Sequence, residues 1–276
     1  MRIVPATCVT FGICAAAFAA PATTSPPPGA VPDFSGYFVR VGDLWFDALE
    51  DDKDGKPIDR LTVNSPDAED IWAGDSANPI LQPWAREIVK QNAEAEIRLE
   101  HVYTADDSCW PSGVPQAVNL LDEVQFLQLK DRVVILYRRD HQARHVWLNV
   151  AHSANPKPSW YGESVGHYEG DTLVVDTIGL KSHKMSVVDP FGTPHTDKLH
   201  VVERYRPFRT PFGTGLEVIV RVEDPGAFTM PWKGMAEYRQ DKTVNSFDEM
   251  VCAENDRSFA EGSTFGTIPE EKIPQF

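Results

Sequence analysis

Residues 160–179 read WYGESVGHYEGDTLVVDTIG, from Trp160 to Gly179. Two extended runs flank Glu169-Gly170-Asp171, where a glycine supplies the positive φ that a tight hairpin turn requires. Side chains along a strand change face at every residue. Leu173, Val175 and Thr177 therefore fall on one face, and Thr172, Val174, Asp176 and Ile178 on the other. This alternation predicts a β-hairpin at the centre of a β-rich domain, with Asp176 set among apolar neighbours on a candidate site wall.

Similar runs lie on both sides of the hairpin. Phe34 to Trp45 predicts one or two strands, and Val124–Leu129 and Arg132–Tyr137 flank a Lys130-Asp131 turn. Arg144–Val150 comes next. Beyond the hairpin follow Leu199–Arg206, Leu216–Glu223, Trp232–Gln240 and Phe247–Cys252. In one of these, Leu216, Val218, Val220 and Val222 share a face opposite Glu217, Arg221 and Glu223. Strands joined mostly by short turns, with no helix between them, predict an all-β fold: an antiparallel meander closing into a barrel or strongly curved sheet, lipocalin-like in outline. A two-sheet sandwich is the alternative that periodicity leaves open. The stretch PWAREIVKQNAEAEIRL, Pro83–Leu99, is rich in helix formers and carries Trp84, Ile88, Ala95 and Leu99 as an apolar stripe. It predicts one N-terminal helix packed on the sheet.

The ends of the chain suggest a compartment. Arg2 precedes an apolar run to Ala20 with small residues at Ala17, Ala19, Ala20 and Ala22, the pattern of a secretory signal peptide over residues 1–20. A proline-rich tether follows over 21–32, and a single β-rich domain is expected over 33–276. Cys8 and Cys14 leave with the signal. In an oxidising compartment the two that remain, Cys109 and Cys252, are expected to pair. A net charge of -15 disfavours phosphate backbones and anionic lipid surfaces, so neither nucleic acid nor a membrane is expected as a partner once the signal is cleaved.

Candidate chemistry lies near the hairpin and in Pro194 to Tyr205. Alternation places Leu199, Val201, Glu203 and Tyr205 on the apolar face, and His200, Val202, Arg204 and Arg206 opposite. Glu203 is either a carboxylate made basic by apolar surroundings or the partner of an arginine that pins sheet register. His195, in a loop, is a candidate proton donor or a loop fastener. His152, Trp160 and Tyr161 are candidate pocket walls, the aromatic pair being equally readable as a core cap.

Other signals lead nowhere. Gly162-Glu163-Ser164-Val165-Gly166 spells G-x-S-x-G, but a strand follows where a nucleophile elbow needs a helix. Asp52 and Asp54 before Gly55 resemble the start of a calcium loop, yet Leu61 stands where the bidentate acid belongs. Eight histidines show no compact metal-ligand spacing, so no metal and no cofactor are expected.

The chain resembles a large group of secreted bacterial proteins. The residues that carry the resemblance are Pro32–Gly36, Cys109–Pro115 (C-x-P-x-G-x-P), Trp160–Gly179, Pro194–Tyr205, Asp224–Trp232 and the Cys252–Asn255 run. It implies a compartment and a common architecture and carries over no mechanism. Where members of that group commonly show D-G-R-x-H-P, this chain has Asn149-Val150-Ala151-His152-Ser153-Ala154, keeping the histidine without the acid and arginine.

Two functions fit these residues. One is a periplasmic or secreted enzyme of acid-base type, an isomerase, cyclase, lyase or hydrolase acting on a small, largely apolar molecule. Glu203 or Asp176 would be the base, His195 the donor and Arg204 the stabiliser of negative charge. The other is a binding protein for a small hydrophobic ligand, in which the same acids and arginines only hold strands together.

Overall fold

The computed structural model describes residues 31–42, 75–100, 102–211, 213–250 and 252. The expected signal peptide, most of the expected tether and the Asp52–Gly55 run lie outside the described residues. Nine strands form one closed barrel in chain order: β1 (Gly36–Val41), β2 (Val124–Gln128), β3 (Arg132–Tyr137), β4 (Ala143–Leu148), β5 (Glu163–Glu169), β6 (Thr172–Ile178), β7 (His200–Thr210), β8 (Gly213–Glu223) and β9 (Trp232–Gln240). β1 pairs with β9 to close it. Among the described residues there is one α-helix, α1, which runs Pro83–Ile97.

The expected meander needs one correction. β4 and β5 pair in parallel, Val146 opposite Ser164 and Leu148 opposite Gly166, while all other neighbours are antiparallel. A ring with an odd number of strands cannot alternate direction all the way round. Parallel neighbours need a long return connection, and residues 149–162 provide it. This crossover leaves the β4 end where the tight hairpins lie and re-enters at the opposite end, where the long connections gather.

The hairpin turn is as read: Gly170 has φ +63° between Glu169 and Thr172. Inward side chains from around the ring pack into one apolar cluster that includes Phe38, Phe126, Ile135, Val146, Leu173, Val175, Val201, Val218, Val220 and Ala236. Fully burying one such side chain contributes roughly 1.5–3 kcal/mol. The axis of the barrel is thus occupied by core side chains.

Two further expectations change. The packed stripe of α1 is Ala85 and Val89; Trp84 and Leu99 are exposed. Trp84 instead donates its indole N–H to the Gly226 carbonyl (2.7 Å), fastening the helix start to the β8–β9 connection. No strand forms over 247–250, because β1 already pairs with β9 and leaves no edge. Phe247 packs edge-on against Tyr37, and Cys252 reaches Cys109 in a disulfide with Cα atoms 5.4 Å apart.

Candidate functional site

The expected faces of β7 are observed, and they separate the candidate residues. Glu203 is completely buried inside the barrel. Its partner is Arg144 of β4, three strands round the ring, whose Nη1 and Nη2 donate to Glu203 Oε1 (2.9 Å) and Oε2 (2.5 Å). Between them Ser164 of β5 and Thr177 of β6 turn their hydroxyls inward: Arg144 Nε donates to Ser164 Oγ (3.0 Å) and Nη2 to Thr177 Oγ1 (2.8 Å). The Tyr205 hydroxyl donates to Glu203 Oε1 (2.6 Å). Burial works against the Arg144 cation, but the adjacent Glu203 carboxylate outweighs it and holds the guanidinium well above its ordinary value. Glu203 thus has an arginine partner, but on β4 rather than on a neighbouring strand as expected for a register-pinning pair.

Ser164 is buried and serves this network. The glycines beside it have packing reasons. A Cβ on Gly162 (φ +60°) would lie 2.4 Å from the Ile178 carbonyl oxygen, and one on Gly166 would lie 2.8 Å from a Val146 methyl.

Asp176 and Arg204 lie on the outer wall. Arg204 Nη2 donates to Glu169 Oε2 (2.7 Å) at the surface, away from Glu203. Asp176 stands opposite Val165 and Val202 on the flanking strands, as the alternation implies, but its carboxylate is partnered: its Oδ1 lies 2.8 Å from His152 Nε2 and 3.0 Å from His200 Nε2. The other ring nitrogen of His152 lies 3.1 Å from Glu163 Oε1. Glu163 also accepts from the Ser153 hydroxyl and backbone N–H (both 2.7 Å), and these bonds, followed by His152, hold its carboxyl below the ordinary carboxylate range. Among the described residues no three of His, Cys, Asp and Glu are placed to hold a metal ion together.

His195 is buried in the connection 179–199, its Nδ1 2.8 Å from the Thr196 carbonyl, and burial pushes its pKa down. The same connection is tied to Asp224, which accepts from Thr196 N–H (2.5 Å), Thr196 hydroxyl (2.7 Å) and Gly226 N–H (2.9 Å). His195 bonds to neither Glu203 nor Asp176. Glu203, Asp176, His195 and Arg204 thus do not face one cavity. Trp160 packs with Trp110 (5.5 Å) and His183 (5.9 Å) beneath Lys181, as a surface aromatic cluster.

A pocket of about 370 Å³ opens at the parallel seam of the barrel, beside the start of the β4–β5 register at Val146 and Ser164. Arg144, His145 and Trp147 line it from β4, and Tyr161, Glu163 and Ser164 from the opposite side. Lys157 and Ser159 of the crossover complete it. The volume lies in the roughly 300–1,000 Å³ range of small-molecule sites. Tyr161 is rigidly set: its ring stacks on Tyr137 (5.4 Å, parallel planes) and its hydroxyl donates to Gln142 Oε1 (2.6 Å). Trp147 is 40% exposed, with Arg132 4.8 Å above its ring and His145 stacked beside it. The charges of Arg144 and Glu163 are already engaged; Lys157 makes no ion pair among the described residues.

Of the residues singled out in the sequence, Tyr161 and Ser164 line this pocket and His152 stands one contact behind it. Sequence reasoning missed Arg144, His145, Trp147 and Glu163. Arg144 had a signal: it occupies the inward phase of β4 with Val146 and Leu148. The pocket itself had none, since it arises from a parallel pairing.

The chain matches no protein-family model, and no curated protein or solved structure is significantly similar to it.

Proposed function

We propose that this barrel is a periplasmic or secreted binding protein for a small molecule, held in the seam pocket between β4 and β5. The observation that carries the reading is the pocket itself, with preset aromatic walls at Tyr161 and Trp147 and Lys157, a cation with no ion pair among the described residues. These walls favour a planar ring bearing a polar or anionic group. The expected small, largely apolar ligand inside the barrel has less support, because core side chains occupy the axis. The acid-base reading built on Glu203 or Asp176 with His195 lacks the convergence it needs: a base and a proton donor within reach of one reacting atom. Both acids instead serve networks that hold strands and crossover in place.

The test is native mass spectrometry of mature protein recovered from its own host. Binding predicts an organic species carried through purification, released on denaturation and returned unchanged on reincubation. A protein of apo mass after exposure to host extract would sink the reading. Conversion of the released compound on reincubation would replace it by the enzyme.

A further inference from the structure

We propose that the seam pocket takes an aromatic carboxylate of one or two rings and that Lys157 is the residue that selects the anion; this deepens the binding reading above and rests on it.

Most polar groups on the lining are already occupied. Arg144 gives its guanidinium to Ser164, Thr177 and the Glu203 carboxylate, so its charge is met inside the barrel. The Tyr161 hydroxyl donates to Gln142, and the Ser159 hydroxyl to the Gly162 carbonyl (3.2 Å). Glu163 is the one acid among the lining residues. The Ser153 N–H and hydroxyl and His152 Nδ1 stand against its two oxygens, filling most of the roughly four acceptor positions of a carboxylate. A ligand cation finds little there to accept its donors.

Three lining side chains are left. Among the described residues Lys157 makes no ion pair, and neither the Trp147 indole N–H nor the His145 ring has a hydrogen-bond partner. An ammonium and an indole N–H only donate, and an imidazole donates at least once. The uncommitted set is thus rich in donors and carries one fixed positive charge. Its complement is an acceptor with a single negative charge, which a carboxylate is. A phosphate monoester carries about −1.5 to −2, and the surplus would stand unmatched beside Glu163 in a chain of net charge -15.

The cation is also preset. Lys157 stands between Pro156 and Pro158. A proline fixes its own φ and holds the residue before it extended. Pro156 lies so close on Gly179 that a Cβ there would meet its Cβ at 3.0 Å, and Ser159 pairs through its backbone with Gly179 and Lys181. The lysine is therefore mounted on a stiff, seated segment opposite β4. The ring of the ligand follows from the walls, since Tyr161 stacked on Tyr137 and Trp147 under Arg132 offer flat surfaces already held in place. A volume of about 370 Å³ lies near the lower end of the small-molecule range, which suits one or two rings.

Calorimetric titration of the mature protein with 2-naphthoate and with 2-naphthamide, nearly the same shape without the charge, tests this. Wild type is expected to bind the carboxylate at least about ten-fold tighter than the amide, the scale of a hydrogen bond to a charged group. Lys157→Met should remove that preference and leave the affinity for the amide unchanged, and Lys157→Arg should keep it. Lys157 is exposed, so neither change enters the core. Equal affinities in the wild type, or binding of neither compound, would overturn the carboxylate class and leave the pocket to be judged on host extract. A preference undiminished in Lys157→Met would overturn the role of the lysine. Undiminished binding to Ser159→Trp, which fills the pocket, would place both compounds elsewhere and overturn the pocket reading as well.

Discussion

Arg144 on β4 and Glu203 on β7 form a two-point ion pair across the inner faces of the two strands between them, sealed from solvent. Every charge-bearing atom of the pair has a partner, which is the condition under which a buried pair is tolerated. Removing one partner leaves the other charge stranded. Glu203→Gln is expected to lower unfolding free energy by about 3–5 kcal/mol, and Arg144→Met by a similar amount. The pair replaced together by Met and Leu should recover much of that loss. Denaturant unfolding of the two single variants and the double variant measures the coupling. Single losses under about 1 kcal/mol would mean the network does not hold the barrel.

Asp189 is a buried carboxyl whose Oδ1 accepts from Phe191 N–H (3.0 Å) and Thr193 N–H (3.1 Å), and burial, opposed by those bonds, pushes its pKa up to about 6. The native state therefore binds this proton more firmly than the unfolded chain does. Stability from this group is full below the ordinary carboxylate range and is lost as pH rises to about 6. The size is about 3 kcal/mol. Asp189→Asn keeps an acceptor for both N–H groups without the charge. It should be more stable than wild type at pH 7 to 8 and equal to it near pH 4, as followed by urea unfolding at each pH.

Gly162 separates backbone freedom from space. Its φ is +60° and an added Cβ would meet the Ile178 carbonyl oxygen at 2.4 Å, whereas Gly170 has φ +63° and open space. Gly170→Ala is expected to cost about 1 kcal/mol. Gly162→Ala should cost more than twice that, because backbone must move, and should distort the pocket it lines. Equal thermal shifts for the two would contradict the packing account.

The disulfide closes a loop of sequence separation 143. In the chain-entropy model such a link is worth about 4–5 kcal/mol. Cys109→Ser with Cys252→Ser should unfold at lower denaturant with a barrel circular dichroism spectrum otherwise retained. Unchanged stability would show that the reduced chain is already constrained.

Much of the barrel was legible because period-2 alternation survives in its strands. Leu216, Val218, Val220 and Val222 face inward as read, and so do Glu203 and Thr177. What alternation cannot report is which strands are neighbours. The parallel β4–β5 seam is non-local, so the pocket beside it and the reach of Arg144 to Glu203 were invisible. Asp176 shows the limit from the other side. Its phase was right, but the groups it meets, His152 and His200, come from the crossover and from the adjacent strand β7, whose pairing register alternation alone does not give. The α1 stripe failed for a different reason: Trp84 is held by an indole hydrogen bond at the helix start rather than by burial.

The most direct test of the binding account fills the pocket and leaves the barrel alone. Ser159 is exposed, lines the pocket and uses its backbone for pairing, so Ser159→Trp places a ring in the space without entering the core. Wild type and Ser159→Trp would be exposed to the same host extract and compared by native mass spectrometry at matched melting temperature. The account predicts a small organic molecule on the wild type and none on the variant. The same molecule on both proteins would place binding elsewhere, and its absence from both would contradict the account.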